Sequence, residues 1–143
     1  MKIRIITIGK PKLAYAKIGW DEYYSRLSKL HSMLSVNISD KHAYDSDRIR
    51  SAQKDSYKIV LEIEGRQYHS EDLAKKLDTL EQQGRDISLI IGGPEGLPKD
   101  IITEADMLLS LGRLTLPHDL AMIVTLEAIY RATMINKNIP YHK

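Results

Sequence analysis

The stretch Ile90-Ile91-Gly92-Gly93-Pro94-Glu95-Gly96-Leu97-Pro98 decides how this chain folds around a ligand. An apolar run that begins at Ile87 leads directly into it, and residues 92–98 then hold three glycines and two prolines. This pattern is typical of a buried strand that ends in a shaped loop. The glycines indicate either a left-handed backbone or a ligand that approaches more closely than a Cβ would allow. The alternative interpretation is a tight turn before a helix.

The rest of the chain predicts four further strands that alternate with helices. We expect these strands at Lys2 to Ile8, Met33 to Ile38, Tyr57 to Ile63 and Met107 to Leu111. We expect helices at about Lys12 to Leu30, Ser70 to Gly84, Lys99 to Ala105 and Asp119 to Asn136, and a loop with a solvated helix at Asp40 to Asp55. In the second of these helices, Ser70 is the expected N-cap residue and Gly84 the expected C′ residue. The alternation predicts an α/β fold with a mainly parallel sheet flanked by helices, in a single domain over residues 1–143.

Ligands of such sheets bind beyond the carboxyl ends of the strands. Three of these ends carry loop signals: Glu64-Gly65, Gly92 to Gly96 and Gly112 to Pro117. Glu95 would repel a phosphate, whereas bare backbone amides beside a carboxylate suit hydroxyls, an adenine edge or a positive charge. S-adenosylmethionine offers all three features.

Composition excludes several classes of protein. Hydrophobic residues make up 43% and charged residues 28% of the 143 residues, as in ordinary globular proteins. No apolar run approaches the roughly 18 residues that span a bilayer, and the N-terminus does not resemble a signal peptide. We therefore expect a cytoplasmic protein that does not associate with a membrane. The absence of cysteine excludes thiolate chemistry, and five histidines without close spacing predict no metal site. A net charge of +2 permits RNA binding without requiring it.

The last helix and the tail carry two further hypotheses. Between Asp119 and Ile135, 12 of 17 residues are apolar or tyrosine, which favours a helix buried between the sheet and a second copy of the chain. The alternative is a helix buried centrally in its own domain. The tail ends in Tyr141, His142 and Lys143, which suit stacked RNA bases and phosphates, although a frayed terminus is the simpler interpretation.

Several ordered motifs together resemble the ribosomal large subunit methyltransferase H family, of the SPOUT class. These motifs are LEIEG at 61–65, GGPEGL at 92–97, LTLPH at 114–118, IYRA at 129–132 and the terminal PYHK, within a chain of the family's length. The resemblance implies an α/β fold with a deep C-terminal trefoil knot, a homodimer, and S-adenosylmethionine as methyl donor. It also implies methylation at N3 of a pseudouridine in 23S rRNA, within the ribosome.

Carried onto matching positions, the resemblance implies site residues of two kinds. The cofactor is expected against three loops, at Leu61, Gly92, Gly93, Gly112, Arg113, Leu114, Thr115, Leu116 and Pro117. Catalysis and RNA contact are expected at Tyr141, His142 and Lys143. Met122 stands where relatives commonly carry arginine, and Lys99, Arg113 and Arg131 are candidates to replace that arginine.

The chemistry of N3 methylation requires a base that removes the imide proton, for which His142 is the first candidate and His118 the second. Tyr141 is expected to stack on the target base while Lys143 and Arg4 hold phosphates. Two alternatives stay open: a SPOUT methyltransferase of another RNA such as tRNA, and a non-catalytic RNA-binding module.

Overall fold

The computed structural model covers residues 1 to 143 and contains one five-stranded sheet. Its strand order is β2-β1-β4-β3-β5, and every neighbouring pair is parallel. The strands are β1 (Lys2–Ile8), β2 (Ser32–Ile38), β3 (Tyr57–Gln67), β4 (Ile87–Ile91) and β5 (Met107–Ser110). Each strand begins within one residue of its predicted start, so the α/β fold with a parallel sheet is confirmed.

Helices cover both faces of this sheet. They are α1 (Ala14–Ser28), α2 (Ser46–Gln53), α3 (Ser70–Gln82), α4 (Lys99–Thr103) and α5 (His118–Asn136), with a short 3-10 helix at Asp40–His42. Helices α1, α3 and α5 share a core with Ile3 and Ile5, whereas α2 and α4 share a second core with Ile6 and Ile8. Because both faces are covered, β1 is buried continuously from Ile3 to Ile8 and all five residues of β4 are buried, although β1 also carries Arg4 and Thr7.

Local signals at the ends of α3 are partly confirmed. Gly84 follows the helix with φ of +68°, as a glycine C′ residue does, and its N–H donates to the carbonyl of Glu81. Ser70 was expected as the N-cap residue, but it is the first helical residue. His69 takes the N-cap position and makes no side-chain capping bond.

Strand β3 does not end at Glu64-Gly65, contrary to the sequence-based expectation. It continues to Gln67, but Leu61 and Arg66 both pair with Leu109, so the four residues between them bulge out of the ladder. Gly65 is required there because a Cβ would lie 2.8 Å from the backbone carbonyl of Leu108. The glycine marks a close approach of two strands, which local sequence cannot distinguish from a strand end.

Helix α5 is buried along its whole length within one chain. It packs between α1 and α3, and none of its nineteen residues is exposed. Met122, where the resemblance implies an arginine in relatives, is fully buried in the core. Packing within one chain buries eight of its nineteen residues, and the other eleven are half-buried, so burial of α5 by a second chain stays a prediction. No helix is long and apolar enough to cross a membrane.

Candidate active site

A cavity of about 430 Å³ lies at the carboxyl edge of the sheet, between the bulge of β3, the ends of β4 and β5, and the start of α5. Its walls come from the three predicted loops: Leu61 to Ile63, Ile91 to Leu97, and the segment from Leu111 to Ala121. The volume falls within the range of small-molecule sites, about 300–1,000 Å³. The geometry thus brings the loops after β4 and β5 together with the bulge of β3, whereas Glu64-Gly65 does not line the cavity; ligand binding there stays a prediction.

The loop after β4 folds back on itself. Gly93 and Gly96 form an isolated bridge in which the N–H of Gly96 donates to the carbonyl of Gly93 at 3.0 Å, and Gly96 has φ of +82°. A Cβ on Gly92 would lie 2.8 Å from Cγ of Leu97. From the other side, the Tyr44 hydroxyl donates to the carbonyl of Glu95 at 2.8 Å. Gly92 is thus required for the packing of the loop against Leu97, a different reason from the ligand approach expected from the sequence.

The bulge in β3 brings Glu62 and Ile63 to the wall of the cavity. The Ser110 hydroxyl at the end of β5 lies within hydrogen-bonding distance of the Ile63 carbonyl (3.0 Å) and accepts from the Gly112 N–H (3.2 Å). One hydroxyl therefore connects the first and third loops. Sequence analysis missed Glu62 and Ile63, although they directly follow the predicted Leu61.

Helix α5 begins directly after the third loop, at His118. Asp119 is 7% exposed, and its carboxylate accepts from the backbone N–H groups of Lys12 (2.9 Å) and Leu13 (2.7 Å), just before α1. It therefore caps α1 from a position more than 100 residues away in the chain. His118 lines the cavity, and its Nε2 is buried without a hydrogen-bond partner.

The charges of the cavity are all negative. Glu62, which is half-buried, and Glu95, which is exposed, line it, and no lysine or arginine does. Apolar side chains such as Ile91, Leu97 and Leu116 form the remaining walls. Such a cavity fits a ligand with a flat apolar part and a positive charge, and it does not fit a phosphate. S-adenosylmethionine has both features.

Most of the predicted cofactor residues line this cavity, namely Leu61, Gly92, Gly93, Gly112, Leu114, Thr115 and Leu116. Arg113 and Pro117 belong to the same loop but are exposed outside the lining. Their predicted contact with the cofactor stays a prediction. Within the described chain, no group of histidine and carboxylate side chains is arranged to hold a metal ion.

The C-terminal tail lies against α1 and α5 and does not line the cavity. The Tyr141 hydroxyl donates to Glu127 at 3.0 Å and lies 3.4 Å from the Tyr23 hydroxyl, while its ring packs edge-on against Tyr130 at 4.9 Å. Burial is the main cause that raises the pKa of Tyr141, and the hydrogen bonds to Tyr23 and Glu127 raise it further. The Tyr141 side chain is therefore packed against α1 and α5 by these contacts.

His142 is held between two helices by both of its ring nitrogens. Arg131 of α5 contacts Nδ1 at 3.2 Å, and Glu71 of α3 contacts Nε2 at 2.8 Å. Because a guanidinium can only donate, Nδ1 is the acceptor and Nε2 carries the proton that Glu71 accepts. The pKa of Glu71 is lowered, first by its own backbone N–H and then by His142. In this position His142 has no free lone pair with which to act as a base.

Two cations predicted to touch RNA are engaged elsewhere. Arg4 is only 9% exposed and lies on β1, where it contacts Asp86 at 3.4 Å, so it is not available to hold an RNA phosphate. Arg131 pairs with Glu127 and His142. Lys99, Arg113 and Lys143 are exposed. A single chain therefore presents the cavity and the predicted catalytic tail as two separate regions.

The sequence model described as "Predicted SPOUT methyltransferase" matches residues 1–142 of the chain. The chain belongs to the SPOUT methyltransferase family. Curated relatives place it more closely, since it is 43% identical to "Ribosomal RNA large subunit methyltransferase H" of Deinococcus radiodurans, over 100% of this chain and 99% of the relative. It is 41% identical to the protein of the same name from Deinococcus deserti, over 100% of both chains.

Solved structures of a probable methylase and a putative methyltransferase share the fold at low sequence identity. A probable methylase family protein from Haemophilus influenzae superposes with a TM-score of 0.58 at 12% identity, over 99% of this chain and 70% of its own. The putative methyltransferase Lpg2936 from Legionella pneumophila, solved with bound SAM, gives a TM-score of 0.52 at 14% identity, over 92% and 66%. These likenesses support the fold class, and the trefoil knot stays a prediction.

Proposed function

We propose that this protein transfers the methyl group of S-adenosylmethionine to N3 of a pseudouridine in 23S rRNA of the large ribosomal subunit. The observation that carries the proposal is the three-loop cavity at the carboxyl edge, in a chain that belongs to the SPOUT methyltransferases. The names of full-length relatives at 41% and 43% identity support the rRNA as substrate. Residues 1–143 act as one domain, since all helices pack on a single sheet.

The main contribution of the protein to catalysis is to position the methyl donor and the acceptor base relative to each other. When bound, S-adenosylmethionine supplies a methyl group already activated by its sulfonium, so orientation of the acceptor supplies much of the remaining catalysis. The cavity walls, including Leu97 and Leu116, exclude water around the donor. The loops that hold these walls are fixed by Ser110 and Asp119, which makes the site largely preformed.

The N3 proton of the acceptor must pass to a base of the protein, and His142 is proposed for this role. Its two ring nitrogens are engaged with Arg131 and Glu71, so the tail must leave this position before Nδ1 or Nε2 can accept a proton. His118 is the second candidate because the residue lines the cavity and its buried Nε2 has no hydrogen-bond partner. Tyr141 then stacks on the target base, and Lys143 contacts phosphate as a point charge.

The protein acts as a homodimer in the bacterial cytoplasm, where ribosomes are its substrate. Support for a dimer comes from exposed apolar side chains around the start of α5: Leu13 is 54% exposed, Ile18 72% and Leu114 83%. Leu13 is joined to Asp119 by a hydrogen bond, and the α1 segment that carries Ile18 packs against Ile123 through Gly19. Apolar groups clustered beside a binding cavity mark an interaction surface. A second chain bound at this surface supplies its C-terminal tail to the cavity of the first chain, whose own tail does not line that cavity.

The decisive assay measures transfer of labelled methyl groups to 70S ribosomes, separate subunits, naked 23S rRNA and tRNA, each from cells that lack the modification. We expect transfer to a ribosomal substrate and mass-spectrometric localisation to N3 of a pseudouridine. Transfer to tRNA alone would support a SPOUT enzyme with another substrate. Binding of RNA without any transfer would support the non-catalytic module instead.

Two variants test the roles within this reaction. His142→Ala should bind S-adenosylmethionine normally but transfer methyl groups at least about 100-fold more slowly, as expected for loss of a general base. Ile18→Glu should sediment as a monomer and lose transfer if two chains complete the site. An unchanged rate in His142→Ala would remove this histidine from the mechanism, and a fully active monomer would remove the dimer.

A further inference from the structure

Two carboxylates in the cavity lining, those of Glu62 and Glu95, have no cationic partner in the lining. Glu62 is half-buried in the β3 bulge and lines the cavity, and its carboxylate makes only one weak contact, with the Glu64 N–H at 3.4 Å. Glu95 on the opposite loop adds a second, exposed carboxylate. No arginine or lysine in the lining offsets either charge. A half-buried carboxylate without a cation partner is costly unless a ligand supplies the positive charge.

We propose that Glu62, assisted by Glu95, is a specificity-determining residue that makes the cavity prefer the charged methyl donor over its demethylated product. This inference rests on the proposed function and concerns the discrimination that the same cavity achieves. During transfer the sulfur–methyl bond breaks and its electron pair returns to sulfur, while N3 forms the new bond and gives its proton to a base. The sulfonium cation thereby becomes a neutral thioether. The rest of the product is chemically identical to the donor.

Electrostatics gives the size of the expected effect. A carboxylate about 6–10 Å from a cation, at an effective dielectric constant of about 20–40, changes a Kd by roughly 4- to 100-fold. Because Glu62 is half-buried, we expect its carboxylate to lower the Kd for the charged ligand about tenfold. The exposed Glu95 should lower that Kd about two- to threefold. The same carboxylates attract the neutral sulfur of the product far less. The cavity therefore loses affinity for its ligand at the moment of transfer, which favours release of the product.

The β3 bulge places this carboxylate. Residues 62–65 leave the ladder because Leu61 and Arg66 both pair with Leu109, and the bulge carries Glu62 and Ile63 into the lining while Glu64 stays exposed outside it. Glu64 therefore provides a matched control with the same charge, two residues away. Glutamine at position 62 keeps the size and an acceptor oxygen for the Glu64 N–H, so it removes the charge with little change in structure.

Isothermal titration calorimetry of the full-length protein with three probes tests the inference. The probes are S-adenosylmethionine, S-adenosylhomocysteine, and sinefungin, in which an ammonium replaces the methylsulfonium. We expect Glu62→Gln to raise the Kd for S-adenosylmethionine and for sinefungin about tenfold. The Kd for S-adenosylhomocysteine should stay within about twofold of the wild-type value. Glu95→Gln should give a smaller loss in the same direction. Glu64→Gln should leave all three affinities within about twofold, and Glu62→Asp should restore part of the preference.

Three calorimetric results would contradict the inference or the function on which it rests. An equal loss for all three probes in Glu62→Gln would overturn the inference, since the carboxylate would then bind a group shared by donor and product, such as a ribose hydroxyl. Equal losses in Glu62→Gln and Glu64→Gln would also overturn it, because a general surface field would explain them. If the wild-type protein bound none of the probes, the proposed function would fail as well, and this result is distinguishable from binding without discrimination.

Discussion

Replacing Asp119 by alanine should loosen the connection between the start of α5 and the start of α1. The Asp119 carboxylate is 7% exposed and accepts from the N–H groups of Lys12 and Leu13 at 2.9 and 2.7 Å. No side chain of α1 itself caps that helix, since its N-cap residue is Leu13. The variant therefore removes a cap that the local sequence of α1 does not supply.

The magnitude follows from two hydrogen bonds to a charged acceptor. Each contributes about 1.5–3 kcal/mol when its donors are buried. Two such bonds would contribute about 3–6 kcal/mol. Water can reach the two amides after the substitution because Lys12 and Leu13 are exposed, so we expect a smaller total loss of about 2–3 kcal/mol. In a domain of this size, such a loss lowers Tm by about 5–10 °C. Asp119→Asn keeps one acceptor oxygen and should lose only about 1 kcal/mol.

Urea denaturation followed by circular dichroism measures this change through Cm at a constant m value. Asp21→Ala is the matched control, because Asp21 is exposed on α1 and makes no hydrogen bond or ion pair; it should shift the free energy of unfolding by less than about 0.5 kcal/mol. An Asp119→Ala variant as stable as Asp21→Ala would refute the reasoning. The same variant should bind S-adenosylmethionine several-fold more weakly, since Asp119 adjoins His118 in the cavity wall.

Three further variants test other parts of the structure. Gly65→Ala should lower the free energy of unfolding by about 2 kcal/mol or more in urea, because its Cβ would meet the Leu108 backbone at 2.8 Å. Burial, followed by the charge of the N-terminus, lowers the pKa of His31 to about 4. The unfolded state therefore binds more protons between about pH 6.5 and 4, so stability should fall as pH decreases through this window, and His31→Gln should flatten that decline. Tyr141→Phe should cost less than about 1 kcal/mol in global stability while speeding amide exchange at 139–143, because it loses the bond to Glu127 at 3.0 Å; unchanged exchange would show that this bond does not hold the tail.

Much of the fold follows from local patterns that the sequence displays directly. The apolar run of β4 needs to be buried on both faces, and its five residues are all buried. Gly84 ends α3 with a left-handed backbone, as its position after the apolar stripe predicted. The clustering of three loops followed from the rule that parallel strands place their carboxyl ends at one edge. These features depend on residues that are neighbours in the chain or on geometry shared by all parallel sheets.

The tertiary structure decided features that depend on residues distant in the chain. Position 65 requires glycine only because a Cβ there would lie 2.8 Å from the Leu108 backbone of β5, and the bulge that contains Gly65 carries Glu62 into the cavity. Asp119 caps α1 across more than 100 residues.

The tail shows the same division. Its Tyr-His-Lys composition was visible in the sequence, and the resemblance assigned it to catalysis. Its location against α1, α3 and α5, with both nitrogens of His142 engaged, depends on Arg131 and Glu71, which lie 11 and 71 positions away. The sequence by itself determined the family, the parallel sheet and the loops after β4 and β5 that line the cavity, because these follow from local periodicity and motifs. Only the packed chain decided which charges face the cavity and where the tail lies, because both depend on contacts between distant segments.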